Sequence, residues 1–501
     1  MSTSGDVLIT INDGSASSVV VPSASVQLVI GTSSAGTAAQ IVATRSPSTL
    51  QSSLGYGLLP EAAALAIAAG GTVLAMKATS NTAGANTAVT MTRVGTSTCV
   101  VTVTGTPNDE YYVAFKVAKS GTIATTGILF QISLDAGRSY GPNIALGTAT
   151  TYVIPNTGLT LNFAAGTLDL GDIARFSCTP PLWNTAGIQA CLNAFQASQY
   201  AAVGIGSIHI VGVCSGADAT TIQGYLDTLA TGFIYNRCML SVADVTKPTA
   251  WGGAGGQTEA QWITAIEADY AAVSAKRLLA AAGYYNMSSA YPNSAAGAPR
   301  YRRSLAWAQA CRQVAIPFQR HSGRVRDGAL SNIVVDAVND PIDGFVYHDE
   351  RINPGLDILT GGAGRFCSAR TRVGLPGFYI VNPLLLSPLG SDFTIWPLGA
   401  VMDVACGIVH QVGQKFINAD VRLNQTGTLF ETEAKTIEQA ILSALNDQMT
   451  AVAMISSARV VVDRTNNVQT TSKVLISVTI FARGYILEEV VSIALGNSLA
   501  A

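Results

Sequence analysis

The order of apolar and polar residues changes character at several points along the chain, and each change marks a predicted element. Residues 1–30 open with two strand-like runs, "DVLITI" and "SVVVPSASVQLVI", joined by the turn-forming "NDGSAS". To residue 80 the pattern alternates: a strand over 26–30, a loop, a short helix over 60–69 and a strand over 72–78. After residue 181 the alternation resumes. Helix-like residues 185–199 lead to an apolar strand at 208–213, a helix at 218–232, a strand at 238–243 and a longer helix over 259–282. A further helix over 302–314 carries "SLAWAQACRQ", and a strand is expected at 332–338. Unbroken apolar strands between helices predict a parallel sheet covered on both faces, an α/β body formed by residues 31–80 and 182–361.

Residues 81–181 contain no helical period. Short β-rich runs recur at regular spacing, punctuated by Gly, Asn and Asp, and the stretch ends on Pro180 and Pro181. This predicts an antiparallel β-sandwich inserted into a loop of the body, where extra length costs little. From about residue 362 the pattern is mixed α+β. Residues 431–456 form the clearest helix, with Ile437, Ile441, Leu445 and Met449 at i+4 spacing on one face. "SARVVVDRTNNVQTTSKVLISVTIF" then reads as a hairpin closed by "DRTNNVQTT". Along its second strand Val474, Ile476, Val478 and Ile480 face one way and Leu475, Ser477, Thr479 and Phe481 the other. A bend is expected at Arg483 and Gly484, and residues 485–495 have room for one more strand. Chain ends are normally polar and frayed unless something ties them down, so an apolar, strand-forming tail needs a partner.

Composition narrows the function classes. Hydrophobic residues make up 48% of the 501 and charged residues 12%, about half the usual charged share of a soluble domain. So bland a surface suits a subunit covered by its neighbours; a plain Ala/Gly bias is the ordinary alternative. The net charge of −2 comes without a basic block, so a nucleic-acid groove is not expected. The start "MSTSGDVLIT" lacks the features of a signal peptide, and "EAAALAIAAGGTVLAMKA" is broken by Gly70 and Gly71, so a soluble product made in the cytoplasm, with no membrane partner, is expected. Eight cysteines occur without any C-x-x-C pair and are read as buried, reduced thiols.

Signals for chemistry are weak. No G-x-S-x-G, G-x-x-x-x-G-K-[ST] or H-E-x-x-H occurs, and the four histidines stand isolated. His209 sits in an apolar strand and reads as a core histidine. "FVYHDERINPG" concentrates His348, Asp349, Glu350 and Arg351; neighbours on one strand or turn face different ways, so a solvated loop making inter-subunit ion pairs is preferred to a catalytic site. "WGGAGG" and "TGGAG" lack the order of a phosphate loop and read as flexible loops. Arg302, Arg303, Arg370 and Arg372 form modest clusters expected to pair with a neighbour's carboxylates. No catalytic residue, cofactor or metal is expected.

The order of parts resembles the contractile-tail sheath proteins of myophages and related injection devices. Three stretches carry the likeness: "VPSASVQLVIGTSSAGTAAQIVATRSPSTLQSSLG", "AALAIAAGGTVLAMKA" and "ISLDAGRSYGPNIALGTATTYVIPNTGLTLNFAAGTLDLGDIARFSCTPP", the last similar to inserts of phage structural proteins. The resemblance implies a multidomain α/β and α+β fold: an N-terminal arm (1–30), the α/β body, the inserted sandwich, and a C-terminal assembly domain (362–501) ending in exchanged strands. It implies a structural subunit, not an enzyme, that polymerises with itself as six-fold rings stacked around a tail tube protein. Baseplate and tail terminator proteins would be further partners, and the virion tail its location. Strand exchange between subunits would use Val7, Ile9, Ile11, Val19 and Val21 at one end and Tyr485, Leu487, Val490, Val491 and Ile493 at the other, with Gly14 and Gly484 as hinges. The competing classes are another virion component and a cytoplasmic α/β enzyme with a carbohydrate-binding-like insert.

Overall fold

The computed structural model describes residues 23–247, 255–334, 347–357, 365–388 and 390–487. At its centre lies a six-stranded sheet in the order Leu278–Ala281, Cys238–Ser241, Ile205–Val213, Ser23–Gly31, Thr72–Lys77, Ile41–Thr44. Every neighbouring pair runs parallel except the last. Leu28 stands opposite both Leu74 and Ile208, so unbroken apolar strands lie side by side with both faces buried. Leu28, Ile30, Leu74 and Ile208 enter a core shared with helices Thr185–Gln196, Gly216–Thr231 and Glu259–Tyr270. Val29, Val73, Ala75 and Val211, one residue out of phase, enter a second core with helices Leu58–Ala68 and Leu305–Ala315. The first-core helices start on side-chain caps: Asn184 accepts from Gly187 N, and Ser215 with Asp218 and Thr258 with Gln261 make capping boxes.

The helix expected over 259–282 ends at Tyr270, and Leu278–Ala281 becomes the edge strand of the parallel sheet. Leucine and alanine favour helix, but all four of these residues are buried and pair with Cys238–Ser241. Pairing and two-sided burial outweigh a helix preference of a few tenths of a kcal/mol per residue, roughly. Of the strand expected at 332–338, the described part makes one bridge, Met287 with Ile333; residues 335–338 lie outside the described residues.

The chain leaves the body at Ser80–Thr82 and returns at Leu182–Trp183, and these two short strands pair antiparallel. Between them Tyr111–Lys119 pairs with Leu129–Ser133 and Ile173–Thr179 in one antiparallel sheet. Leu159–Phe163 pairs with Thr151–Ile154 and Val101–Gly105 in another. A third core holds side chains of both sheets, with the Phe115 ring 4.8 Å from Phe130 and 5.4 Å from Phe163.

This all-β segment is joined to the body through buried charge. Arg303, on strand Arg300–Ser304, makes a bidentate pair with Asp109 at 2.8 and 2.7 Å. Burial works against the guanidinium charge, but Asp109 beside it holds the Arg303 pKa above its ordinary value. Burial pushes the nearby Glu61 up to about 7 against the pull of Arg303, and its Oε1 accepts from Ala290 N at 2.7 Å. Arg302 pairs with Asp244 at 2.7 and 2.9 Å. The expectation that these two arginines meet a neighbour's carboxylates is therefore corrected. Both are buried, and a buried cation needs its counter-charge inside the fold.

Toward the C-terminus come helix Trp396–Gly413, helix Glu431–Leu445 and a hairpin of Ser457–Val462 with Ile476–Phe481. Ile437, Ile441, Leu445 and Met449 are buried on one face, as their spacing requires. The regular helix ends earlier than residue 456: a wide turn occupies Asn446–Thr450. These side chains join the same core as Val29 and Ala75 of the central sheet. All eight cysteines are free thiols, seven of them buried. His209 is 1% exposed, and burial drops its pKa to about 3, a neutral core imidazole.

Candidate inter-subunit surface

The hairpin runs in register from Ser457 opposite Phe481 to Val462 opposite Ile476. Asn467 caps the short helix Val468–Thr471 inside its connection, and Ser472 takes the left-handed conformation that turns the chain back. Asp463 N donates to Leu475 O at 2.9 Å, which sets the phase of the ladder. Residues 475, 477, 479 and 481 bond inward, so the backbone groups of Ile476, Val478 and Ile480 face away from the partner strand. On the other strand the outward N–H of Val462 is taken by Glu438 Oε1 at 2.7 Å, and Glu438 sits on the supporting helix. Among the described residues no strand pairs with the outer edge of Ile476–Phe481. That edge is a template for a further strand.

The side chains agree with this reading. Val460 and Val462 are buried, and Val478 and Ile480 pack partly against the main core. Val461, Leu475, Ile476 and Phe481 are exposed. An isolated two-stranded sheet is marginal in water; here the helix beneath supports it. Arg464, in the hairpin connection, ion-pairs with Glu438 and with Glu431 and so holds the hairpin to that helix. Sequence reading missed Glu438 and Arg464, because a cap on an outward N–H depends on ladder phase and no local motif records it.

Past Phe481 the chain leaves the sheet. Residues 485–487 pair with no strand of this chain among the described residues, and the rest of the run expected as a strand over 485–495 lies outside them. Tyr485 hydroxyl donates to Gln319 O at 2.8 Å, and its ring lies 5.7 Å from His321. Burial pushes the Tyr485 pKa up to about 12. Leu487 is half exposed, and a Cβ added at Gly484 would meet nothing. Tyr485, Leu487 and Gly484 line a cleft of about 720 Å³ that also holds Arg320, Arg324, Arg370, Arg372 and Arg483. Val7, Ile9, Ile11, Gly14, Val19, Val21, Val490, Val491 and Ile493 lie outside the described residues, as do most of "WGGAGG" and all of "TGGAG".

The acid–base run is internal. His348 is fully buried, with Nδ1 2.8 Å from Glu259 Oε1 and Nε2 2.7 Å from Glu350 Oε2. Facing a carboxylate on each side, both ring nitrogens donate only as the imidazolium. Burial alone would lower the His348 pKa, but the two carboxylates outweigh it and hold it above 6.5. Burial would raise Glu350, yet His348 and the N–H groups of Gly355 and Asp357 hold it below its ordinary value. The solvated loop with inter-subunit ion pairs is thus corrected: these groups tie residues 347–357 to helix Glu259–Tyr270 of the same chain. The pH dependence follows with its sign. A raised His348 contributes stability in full below pH 6.5, lost as pH rises through its folded value; Glu350 contributes above 4.5, lost as pH falls. The thermal midpoint of the native protein should therefore decline as pH rises above 6.5 more steeply than that of His348→Gln. Equal slopes in scanning calorimetry would remove this role.

Among the described residues no group of three or more His, Cys, Asp and Glu is placed to hold a metal ion, and no helix is long and apolar enough to cross a membrane. No curated protein matches the sequence. Among solved structures the chain is similar to a sheath tail protein from Listeria innocua, at 12% identity over 92% of this chain and 95% of that one, with a TM-score of 0.43. A sheath tail protein from Desulfitobacterium hafniense is similar at 10% identity over 95% and 100%, with a TM-score of 0.44. A chain in the contracted helical sheath of the anti-feeding prophage is similar at 10% identity over 64% and 78%, with a TM-score of 0.39. Residues 4–382 match the profile of the DUF2586 N-terminal domain. With well over half of its 501 residues so matched, the chain belongs to the DUF2586 family.

Proposed function

We propose that this protein is the structural subunit of a contractile tail sheath. It polymerises as stacked six-fold rings around a tail tube and shortens to drive that tube through a bacterial envelope. The observation that carries the reading is the outer edge of Ile476–Phe481, unpaired among the described residues and followed within a few residues by an apolar tail. An exposed edge of this kind recruits other chains; in a sheath that recruitment is the assembly reaction. The order of parts along the sequence supports the same assignment.

In this reading a neighbour's terminal strand adds to the open edge through main-chain hydrogen bonds, which survive rotation of the bodies they join. Residues from Val7 to Val21 at one end and from Tyr485 to Ile493 at the other supply the exchanged strands, with Gly14 and Gly484 at the roots of the arms. Contact that does not close on itself generates a helix. Contraction is then rigid-body rearrangement of linked subunits, with no cofactor involved. The β-sandwich insert (81–181) is carried by the body, and the assembly domain begins near residue 362. The tail tube, baseplate and terminator proteins are the partners, and assembly takes place in the host cytoplasm before the virion is released.

Electron microscopy of the purified full chain should show tubes or stacked six-fold rings. A chain lacking residues 485–501 should remain a folded monomer under the same conditions. Tubes from the shortened chain would overturn exchange through this tail, and no ordered polymer from the full chain would overturn the sheath reading.

A further inference from the structure

The joint between the all-β segment and the body holds two carboxylates and one guanidinium away from water. Glu61, in the first turn of helix Leu58–Ala68, is buried, and so are Asp109 and Arg303. Arg303 is bound at both oxygens of Asp109, while Glu61 accepts from Ala290 N at 2.7 Å. The parts fit closely here. A Cβ added at Gly57, which begins the helix of Glu61, would lie 2.7 Å from Asn108 O of the insert. Asn293 Nδ2 donates to Pro155 O at 2.7 Å, and the Tyr111 and Tyr301 rings meet edge-on at 5.8 Å. A cavity of about 30 Å³ lined by Glu61, Asp109, Tyr111 and Tyr301 lies in the joint, room for a water-sized molecule to bring or remove a proton.

The charge balance of the joint turns on Glu61. Asp109 and Tyr111 face it from the insert, Arg303 and Tyr301 from strand Arg300–Ser304, and Tyr291 from the loop before that strand. Helix Pro47–Leu54, packed on the helix of Glu61, carries no titratable side chain. Helix Leu305–Ala315 brings Cys311 and Arg312, and the sheet brings Lys77 and His209. Arg312 donates to the carbonyls of residues 327–329. Burial pushes the Cys311 thiol up to about 12 and keeps His209 neutral. Farther out, Arg302 pairs with Asp244, and Lys247 lies 3.0 Å from Glu110 and 3.5 Å from Asp244. The charges that act most on Glu61 are those of Arg303 and Asp109. With Glu61 protonated these two cancel; with Glu61 ionised, two buried carboxylates share one guanidinium. We propose that Glu61 is a proton-operated latch: protonated, it closes the insert onto the body, and ionised, it leaves an unmatched negative charge that loosens the joint. Burial pushes Glu61 from 4.5 up to about 7. A carboxyl raised in this way stabilises the closed joint in full below pH 4.5, and that stabilisation is lost as pH rises through 7. The latch acts within one chain and stands apart from the sheath reading.

Hydrogen–deuterium exchange of the full chain, with intrinsic rates divided out at each pH, reads the joint through peptides covering residues 105–115 and 289–304. From pH about 5.5 to about 7.5 their protection should fall about twentyfold, the linkage expected when opening brings Glu61 to water and returns it to its ordinary value. Peptides of strand Ile205–Val213 should keep theirs. In Glu61→Gln, which retains an oxygen for Ala290 N and carries no charge, the fall should be absent. In Asp109→Asn the guanidinium is left to Glu61 alone, so the fall should move to lower pH. Asp357, which burial also pushes up to about 7, belongs to the segment 347–357, and the response at the joint should persist in His348→Gln. Equal curves for the native chain and Glu61→Gln would overturn the proposal, as would an unmoved curve in Asp109→Asn; either variant decides if the other folds poorly. A fall shared equally by Ile205–Val213, or one lost in His348→Gln, would also overturn it, because the titrating group would then lie elsewhere.

Discussion

Val478→Pro is expected to abolish polymerisation while leaving the monomer folded. The ladder phase set by Asp463 and Leu475 turns the Val478 N–H away from Ser457–Val462, so proline removes no hydrogen bond of the hairpin itself. It deletes the central donor of the open edge and puts a ring where a neighbour's strand would lie. The outward residues 476, 478 and 480 offer bonds of ~0.5–1.5 kcal/mol net each, and losing the middle of the set should raise the critical concentration at least about tenfold. Thr479→Pro makes the contrast. Thr479 bonds inward, so proline there should open the hairpin and make residues 457–481 protease-sensitive in the monomer. Tubes formed by Val478→Pro at the native concentration, seen by sedimentation and negative stain, would show that this edge is not the joint.

Arg303→Leu should produce the largest loss of stability of any single substitution considered. The guanidinium is 3% exposed and satisfies Asp109 bidentately, while its central carbon lies 4.8 Å from the ring centroids of both Tyr301 and Trp307. Removing it leaves the Asp109 carboxylate buried without a cation, a change that costs about 3–5 kcal/mol. The pair joins the all-β segment to the strand Arg300–Ser304, so that junction should fail first: urea unfolding should become biphasic, with the early phase reported by proteolysis within residues 84–179. In Asp109→Leu/Arg303→Leu the Asp109 charge is gone with its partner, and Glu61, which burial already pushes up to about 7, can stay protonated, so most of the loss should be recovered. A single variant with a native midpoint would show that the pair is dispensable.

The elements that sequence reading placed well are those with a strong local period. The stripe Ile437, Ile441, Leu445 and Met449 is buried as written, and the apolar runs at 26–30, 72–78 and 208–213 are neighbours in a parallel sheet. The edge strand Leu278–Ala281 was misread because Leu and Ala carry a helical preference that only pairing with Cys238–Ser241 overrides. Charged residues fared worst. His348, Glu350, Arg302 and Arg303 were assigned to solvent or to neighbours, and all four are buried: His348, Arg302 and Arg303 against Glu259, Asp244 and Asp109, far along the same chain, and Glu350 against His348 and the N–H groups of residues 355–357.

By itself the sequence determined the alternation that makes an α/β body, the all-β stretch between residues 81 and 181, and an apolar tail in search of a partner. These are local: periodicity and turn residues act over a few positions, and burial enforces them wherever the chain folds. Only the tertiary structure decided which edge of the C-terminal hairpin is open among the described residues, since that depends on ladder phase and on Glu438 reaching Val462 from another element. It alone decided that arginines from three separate segments meet in one cleft, and that Asp109 answers Arg303. Coulomb attraction between residues as far apart as Asp109 and Arg303 leaves no trace in either one's neighbourhood, and three-dimensional packing is what brings such charges within reach of each other.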